Sequence, residues 1–318
     1  MNGNFVIAKN LNELKQYGFR RIACAIGVFD GIHLGHQAVF RELLSLAKKT
    51  NAAPVVITFH PHPRAILTPE NAPSLLYPQE EKARLIQSCG AAALVRLPFT
   101  KPFSELSPDA FLDQCLHAEG IELTGITVGK HWRFGIRASG DETVLRKRAE
   151  KEGFLFCPVR EIRYRDHIVS STAIRAAMAE GDLDLVTAML GRPYEIFGIV
   201  EHGLGLAAKT LGAATANIKP ESGILPPFGV YASMAHAEGK IMPSITSVGI
   251  APTIRNEADP EPKAEVHIFG FDGDLYGNEI SVELIASIRK EKKFDSVEAL
   301  RSEIHKNIAE AAELLKRR

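Results

Sequence analysis

The chain has 318 residues, and its 38 lysines and arginines balance its 38 aspartates and glutamates, so the formal net charge is zero. This balance argues against a protein whose main work is to coat a polyanion, although a local basic pocket remains compatible with it. Hydrophobic residues make up 45% and charged residues 24% of the chain, as in ordinary globular proteins. The length predicts two domains, because single domains commonly have ~100–200 residues.

The sequence carries no signal for export or for a membrane. No apolar run approaches the ~20 residues that span a bilayer, and the polar start of the chain does not resemble a signal peptide. The four cysteines are scattered without a CxxC pair, which argues against a disulfide scaffold and a zinc site. We therefore expect a cytoplasmic enzyme with no membrane or nucleic-acid partner, while the oligomeric state is left open.

The first part of the chain alternates between apolar runs and helical spacing. Runs typical of buried strands cover residues 21–26, 54–59, 91–95, 122–128 and 154–159. Helical patterns cover residues 35–49, 78–88, 108–117, 141–152, 171–180 and 182–190. This alternation predicts right-handed βαβ units and an α/β fold with a Rossmann-like parallel sheet. Such sheets bind ligands beyond the carboxyl ends of their strands.

The pattern changes at Gly191-Arg-Pro193, where we place a boundary between domains 1–190 and 191–318. Short β-rich segments follow at residues 194–201, 214–218, 229–236, 244–249, 264–271 and 279–288. Turn residues separate them, which predicts an antiparallel barrel or sandwich. The stretch 296–316 has one apolar stripe and begins with Ser296, so it predicts a C-terminal helix capped by that serine.

A glycine-rich segment, Ile26-Gly-Val-Phe-Asp-Gly-Ile-His-Leu-Gly-His36, joins the first predicted strand to the first predicted helix. His33 and His36 lie three residues apart at the start of that helix, where free N–H groups attract anions. Two imidazoles there suit the stabilisation of phosphate charge during nucleotidyl transfer; for either histidine alone, packing or helix capping is the alternative. The residues expected to bind the nucleotide here are Gly27, Phe29, Asp30, Gly31 and Gly35.

This segment resembles the HxGH signature of the nucleotidylyl transferase superfamily, and in particular the FMN adenylyltransferase module of bacterial bifunctional riboflavin kinase/FAD synthetases. The stretch Thr58-Phe-His-Pro-His-Pro-Arg64 resembles the TFxPHP segment of that family, and residues 129–141 resemble its GxxFRFGxxxxGD loop. His131 and Trp132 depart from the loop pattern, which has Asp or Asn and then Phe. The resemblance implies that the flavin is bound by Phe59, Pro61, His62, Pro63, Arg64 and Phe134.

A second phosphate motif follows at Ser170-Ser-Thr-Ala-Ile-Arg175. Ser170, Ser171 and Thr172 open a helix, where hydroxyls cap backbone N–H groups or meet an anion. Arg175 lies one turn later and is suited to grip a phosphate as a fork. A plain N-cap with a solvated arginine is the alternative. The segment resembles the SSTxIR motif, which implies contact with the nucleotide phosphates.

The second half resembles the riboflavin kinase module, which implies a barrel. Thr215-Ala-Asn217 stands where that family has P-T-A-N, and the resemblance implies that Thr215 and Asn217 hold Mg²⁺ with ATP. Glu265, in a run similar to ExHxxxFDGDLYG, would be the general base, although a lone glutamate on a strand is usually solvated. Residues 272–274 alone predict a hairpin turn. The similarity of residues 225–231 to LPPxGVY implies that Tyr231 contacts the flavin.

The phosphate loop of that module departs from its usual pattern, G-R-T-x-G-x-P-T-A-N. Ala208 replaces a glycine, Lys209 an arginine and Ala214 a proline. These changes restrict backbone approach, remove the arginine fork and loosen the loop. We therefore expect a kinase that is active but weakened. The resemblance implies that the loop binds the nucleotide through Lys209, Thr210 and Gly212.

The sequence thus predicts a transferase that phosphorylates riboflavin to FMN and adenylylates FMN to FAD, with ATP and Mg²⁺. The expected catalytic residues are His33, His36, Arg175 and Glu265. One alternative is a monofunctional FAD synthetase whose barrel only binds flavin. A second is a nucleotidylyl transferase that uses a different acceptor or CTP, and a third is a non-catalytic flavin-binding protein.

Overall fold

The computed structural model describes residues 5–201, 215–221, 223–250 and 262–316. The chain forms two compact units. The first unit comprises Met1–Ser74 and Gln79–Ser170, and the second comprises Leu75–Pro78 and Ser171–Arg318. The functional division predicted between residues 190 and 191 remains a prediction.

The first unit is built around a six-stranded sheet with the order β1-β4-β3-β2-β5-β6. All neighbouring strands are parallel, as predicted for a Rossmann-like fold. The strands are β1 (Val6–Ala8), β2 (Arg21–Ile26), β3 (Ala53–His60), β4 (Ala93–Pro98), β5 (Glu122–Gly129) and β6 (Leu155–Val159). The helices are α1 (Leu34–Thr50), α2 (Pro63–Leu67), α3 (Gln79–Ser88), α4 (Lys101–Ser104), α5 (Pro108–Leu116) and α6 (Glu142–Glu152).

Both faces of this sheet are buried, which explains the continuous apolar runs of its strands. In β2, Ile22 and Cys24 belong to the core on one face, whereas Ala23 and Ala25 belong to the core on the other. The alanines share their core with apolar residues of α1 such as Leu43. Small side chains on that face of β2 leave room for the helix.

The order of the strands determines where a ligand can bind. From β2 the chain proceeds to β3 and β4 on one side, and it later adds β5 and β6 on the other. The loops that follow β2 and β5 therefore flank the point at which the winding reverses, where open parallel sheets bind their ligands. These loops are two of the segments that the sequence motifs single out.

The second unit contains α7 (Ser171–Glu180), α8 (Leu183–Leu190) and a closed barrel with the strand order β10-β13-β12-β11-β14-β9. In chain order, β7 (Arg163–Tyr164) and β8 (His167–Ile168) precede α7 and form a short antiparallel ribbon. The barrel strands are β9 (Tyr194–Glu201), β10 (Ala216–Pro220), β11 (Gly229–Ala237), β12 (Lys240–Ile250), β13 (Pro262–Ile268) and β14 (Glu279–Lys290). The predicted barrel is confirmed.

The structure differs from the sequence-based expectations in several details. Strand β12 is longer than the predicted segment 244–249, and β13 ends at Ile268 rather than at residue 271. The hairpin predicted at residues 272–274 is wrong, because β13 and β14 are not neighbours in the barrel. The loop between them instead connects strands separated by other members of the sheet.

The last helix, α9 (Val297–Lys316), covers part of the barrel. The backbone N of Ala299 donates to Oγ of Ser296 at 3.1 Å, so the predicted cap is present. Ala311 is fully buried and shares a core with Val230 and Ile245. Within the described part of the chain, no helix has the length and apolar character to cross a membrane.

Residues 75–78 pack within the second unit through Tyr194. The Tyr194 hydroxyl lies 2.9 Å from the carbonyl oxygen of Leu76 and 2.8 Å from that of Ile224, and it accepts from the Ile224 N–H at 3.2 Å. The Tyr77 ring stacks on the Tyr194 ring with centroids 5.4 Å apart. The buried Tyr194 side chain thus connects residues 75–78 with the segment around Ile224.

Candidate functional site

The loop after β2 has an unusual backbone. Phe29 and Ile32 adopt positive φ angles of 50° and 42°, and Gly31 lies between them at 87°. Positive φ is costly for residues with a side chain and persists where the surroundings enforce it. Here Phe29 and Ile32 are only 3% and 1% exposed, so burial of both side chains holds the loop in one shape. A Cβ on Gly27 would lie 2.9 Å from the Phe29 ring, which explains that glycine.

The two predicted histidines are in contact at the start of α1. Their rings stack with centroids 3.6 Å apart and an interplanar angle of 21°. His33 is the N-cap of α1, and its Nδ1 accepts from the backbone N–H of His36 at 3.4 Å. The edge of the Phe29 ring packs against His36, with centroids 5.2 Å apart. A Cβ on Gly35 would lie 3.0 Å from the His33 ring, so this glycine lets the pair form.

The surroundings keep His36 neutral. Burial, then the His33 ring and then the Lys82 ammonium lower the pKa of His36 well below its usual value. Its buried Nδ1 has no hydrogen-bond partner among the described residues. A neutral imidazole has one donor and one acceptor. The pair therefore presents polar ring atoms at a helix N-terminus that also attracts anions.

Lys82 is a residue of this region that the sequence analysis missed. It lies on α3 and is 5% exposed, and its Nζ donates to the Val28 carbonyl oxygen at 3.2 Å. A lysine is rarely buried without partners. The available signal was its position one turn before Ile86 on the buried face of α3.

An aromatic cavity of about 740 Å³ lies in the same unit. The predicted flavin residues Phe59, Pro63 and Phe134 line it, and so does Trp132. This volume falls in the range of about 300–1,000 Å³ typical of small-molecule sites. Three further aromatic lining residues were missed because they come from separate segments, namely Phe99, Phe103 and Phe111.

The loop after β5 shapes one wall of this cavity. The Trp132 and Phe134 rings stack with centroids 4.7 Å apart, so Trp132 both packs on a neighbour and lines the cavity. Phe134 pairs with Gly140 through backbone hydrogen bonds, and a Cβ on Gly140 would lie 2.6 Å from the Phe134 ring. His131 is exposed, and its Nε2 lies 3.3 Å from Oε1 of Glu161. This contact with Glu161 is the interaction that the described structure gives for His131.

The remaining predicted flavin residues are placed differently. Pro61, His62 and Arg64 are not among the residues that line the cavity. His62 caps α2, because its Nδ1 accepts from the Arg64 N–H at 3.1 Å. Tyr231 lies in the second unit with a buried ring, and its hydroxyl donates to the Pro227 carbonyl oxygen. Their contact with a flavin remains a prediction.

The second phosphate motif spans the two units. Ser170 ends the first unit, whereas Ser171, Thr172 and Arg175 open α7 in the second. The helix begins where the motif predicts, so the hydroxyl groups occupy its N-terminal turn. Their role at a phosphate, and that of Arg175 one turn later, remains a prediction.

In the second unit, strand register brings together the predicted base and a predicted metal ligand. Asn217 of β10 lies directly opposite Glu265 of β13. Residues opposite each other in an antiparallel pair point to the same side of the sheet, and Thr215 directly precedes β10. Burial raises the pKa of Glu265, and Lys263 partly opposes that effect. Thr215 also lines a small cavity of about 60 Å³ with Asp274.

These oxygens fit a magnesium–ATP complex. Mg²⁺ is usually bound through one or two protein oxygens together with substrate phosphates and water. The hydroxyl of Thr215 and the amide oxygen of Asn217, both half-buried, supply that small donor set. Over the described ranges, no group of three or more His, Cys, Asp or Glu side chains is arranged to hold a metal.

Part of the predicted kinase site lies outside the described residues. This applies to Lys209, Thr210 and Gly212, and to the altered positions Ala208 and Ala214. Their proposed roles rest on the sequence.

Comparison with known families divides the chain into two matched regions. The FAD synthetase family matches residues 16–173, and the riboflavin kinase family matches residues 190–315. Curated relatives match both regions at once. The Bacillus subtilis bifunctional riboflavin kinase/FMN adenylyltransferase is 34% identical over 290 residues, which cover 90% of this chain and 90% of that protein. The Escherichia coli K12 protein of the same name is 32% identical, with 96% and 95% covered.

A solved structure also matches nearly the whole chain. It is described as a macrolide-efflux protein from Streptococcus pneumoniae, with a TM-score of 0.81 and 26% identity. The match covers 95% of this chain and 97% of that chain. The likeness supports a shared fold, while the described activity belongs to that protein.

Proposed function

Because the chain belongs to the bifunctional riboflavin kinase/FMN adenylyltransferase family, we propose that it makes FMN from riboflavin and FAD from FMN, with ATP as the second substrate in both reactions. The observation that supports this most strongly is the stacked His33–His36 pair at the start of α1. The same chain aligns Asn217 with Glu265 in a barrel. The histidine pair suits adenylyl transfer, and the Asn217–Glu265 pair suits phosphoryl transfer.

In the first unit, an oxygen of the FMN phosphate attacks the α-phosphorus of ATP, and the bond from that phosphorus to pyrophosphate breaks. The attacking phosphate is already ionised, so the site needs alignment and charge stabilisation rather than a base. We assign the stabilisation of the transferred phosphate to His33, His36 and the N–H groups at the start of α1. The backbone of the Gly27–Gly31 loop and Gly35 admits the nucleotide closely.

We assign the remaining groups of this reaction from their motifs and surroundings. The aromatic cavity receives the isoalloxazine ring, because flat rings stack on Phe59, Trp132 and Phe134. Ser170, Ser171, Thr172 and Arg175 are expected to bind the nucleotide phosphates. Charge on those phosphates is further neutralised by Mg²⁺ when it is bound.

In the second unit, the ribityl 5′-hydroxyl of riboflavin attacks the γ-phosphorus of ATP, and ADP leaves. Glu265 accepts the hydroxyl proton, which is the role that a carboxylate within reach of that hydroxyl performs. Thr215 and Asn217 would hold Mg²⁺, which would neutralise charge on the ATP phosphates. The raised pKa of Glu265 makes it a better proton acceptor than a solvated carboxylate.

The main alternative is a monofunctional FAD synthetase whose barrel only binds flavin. The altered residues Ala208, Lys209 and Ala214 favour it. The similarity to bifunctional relatives, which covers 90% of the chain or more, favours two activities, and so does the presence of Thr215, Asn217 and Glu265. We therefore keep both reactions and expect a slower kinase.

The purified chain with ATP and Mg²⁺ tests the proposal directly by chromatography of the products. FMN and FAD from riboflavin are expected, together with FAD from added FMN, and EDTA should abolish both reactions. FAD from FMN with riboflavin untouched would overturn the kinase assignment. No FAD from FMN would overturn the adenylyltransferase assignment.

A further inference from the structure

A buried ammonium lies beneath the loop that leads to the histidine pair. Lys82 is carried by α3, and its side chain is almost fully shielded from water, with 5% exposed. Burial of a charge is unfavourable unless hydrogen bonds and opposite charge compensate it. The reaction proposed for this unit moves no proton to or from a lysine. The position of Lys82 therefore calls for another explanation.

The contacts of Lys82 converge on one carbonyl. Nζ donates to the Val28 oxygen at 3.2 Å and to Oγ1 of Thr58 at 3.3 Å. The Thr58 hydroxyl donates to the same Val28 oxygen at 2.9 Å. Val28 directly precedes Phe29, the first residue of the loop with a positive φ angle. Two donors from different elements thus fix the backbone where the strained segment begins.

Charged and titratable groups face Lys82 from three elements. Asp30, in the loop, raises the pKa of Lys82, whereas burial and the Arg96 guanidinium of β4 lower it, and the result is about 8. Arg96 is itself paired with Glu80 at 2.9 Å. His36 lies on α1, and the positive charge of Lys82 contributes to the lowered pKa of His36. Lys82 thus links the loop electrostatically to the ring expected to meet phosphate.

We propose that Lys82 is a positioning residue for adenylyl transfer. Its ammonium holds the Val28 carbonyl, and with it the loop that orients His33 and His36. Its charge adds, after burial and the His33 ring, to the lowered pKa of His36. When the phosphates enter, the same fixed positive charge remains in place beneath them. This inference rests on the proposed adenylyltransferase function of the first unit.

The first test compares Lys82→Met with Arg84→Met, which removes one positive charge from an exposed position of the same helix. For Lys82→Met, we expect kcat for FAD formation from FMN to fall ~30–100-fold with KM for FMN within about threefold, because misaimed groups affect the transition state most. Lys82→Arg keeps the charge. It should recover at least about one third of the decrease in log kcat that Lys82→Met causes. Riboflavin kinase activity of the same chain reports its integrity in each variant. A Lys82→Met kcat equal to that of Arg84→Met contradicts the proposal.

The second test does not depend on turnover. The C2 proton of His36, assigned by its loss in His36→Ala, is titrated by NMR in the wild type and both methionine variants. Lys82→Met should raise the pKa of His36, because a nearby positive charge is removed, and Arg84→Met should leave it unchanged. An unchanged His36 titration in Lys82→Met overturns the electrostatic part. If the wild type makes no FAD, this titration still tests the role of Lys82 separately from the proposed function.

The third test covers the case in which Lys82→Met does not fold. Thr58→Val keeps a similar volume but removes the hydroxyl that accepts from Lys82 and donates to the Val28 carbonyl. We expect kcat for FAD formation to fall about 3–10-fold while riboflavin phosphorylation is retained. In the wild type, kcat should also decline as the pH rises through about 8, because Lys82 then loses its proton. A Thr58→Val kcat equal to wild type, with no such alkaline decline, contradicts the proposal.

Discussion

The two units place their reactive groups in different ways. In the first unit, His33 and His36 stand on a loop and a helix end, and their geometry depends on a backbone with positive φ angles at Phe29 and Ile32. In the second unit, Asn217 and Glu265 stand on paired strands, and register alone aligns them. Reactive residues on a loop are held in place by contacts from other segments of the chain. Reactive residues on paired strands are aligned by the hydrogen bonds between those strands.

This difference determines which residues can weaken each site. In the first unit, the loop receives buried contacts from Lys82 of α3 and Thr58 of β3. In the second, the neighbours of Glu265 in register are Asn217 on β10 and Ser247 on β12. We therefore expect remote changes to affect the first site and local changes to affect the second. The predictions below test this contrast.

The largest effect is expected for His36→Ala. Loss of one preorganised donor to the transferred phosphate should reduce FAD formation ~100–1,000-fold. Riboflavin phosphorylation should remain, because its groups belong to the barrel. His117→Ala, an exposed histidine of the same unit, is the matched control. Equal loss of both activities in His36→Ala would contradict the assignment of separate sites.

Glu265→Gln should give the complementary result. Removal of the general base should lower riboflavin phosphorylation ~100-fold and leave FAD formation from FMN unchanged. Burial raises the pKa of Glu265, so the wild-type kinase should lose activity as the pH falls through a value above the usual range of a glutamate, where the base becomes protonated. That acid limb should be absent from the residual activity of the variant. Glu238→Gln, at an exposed turn, is the control.

Tyr194→Phe tests how much the hydrogen bonds of the Tyr194 hydroxyl stabilise the second unit. The partly buried Ile224 N–H would lose its acceptor, which costs about 1–3 kcal/mol of unfolding free energy. Thermal denaturation of the full chain should show a lower Tm for the transition of this unit. Tyr17→Phe changes an exposed tyrosine that is 55% accessible and should leave Tm unchanged. A Tyr194→Phe transition at the wild-type temperature would show that this hydroxyl contributes little.

The smallest effect concerns the altered phosphate loop. Restoring Ala208→Gly, Lys209→Arg and Ala214→Pro together should raise kinase kcat about 3–10-fold, because backbone approach and the arginine fork return. FAD formation from FMN should not change. Steady-state kinetics with riboflavin measures the gain. A triple variant with the kinase turnover of the wild type would remove the reason to regard the loop as weakened.

Local patterns predicted much of the fold and the centre of each site. The strand of residues 21–26 and the helix of residues 171–180 have the predicted bounds, because apolar periodicity and capping are local signals. The short strand β1 was missed, since three residues carry too little pattern. The wrong hairpin at residues 272–274 arose because turn chemistry does not reveal which strands are neighbours.

The residues that the sequence did not reveal act through tertiary contacts. Lys82 lies in an ordinary helical pattern, and only its burial against Val28 and Thr58 sets it apart. Phe99, Phe103 and Phe111 come from segments without a motif, yet they line one cavity with Phe59. Such convergence depends on how the chain folds back on itself. The spacing of residues along the sequence does not reveal which separate segments meet at one cavity.

The most direct test of two independent sites on one chain is complementation. His36→Ala and Glu265→Gln are each supplied with riboflavin, ATP and Mg²⁺, alone and as a mixture, and the products are separated by chromatography. The first variant alone should stop at FMN and the second should leave riboflavin unchanged, whereas the mixture should form FAD. A mixture that forms no FAD, although each variant retains its other activity, would contradict the account.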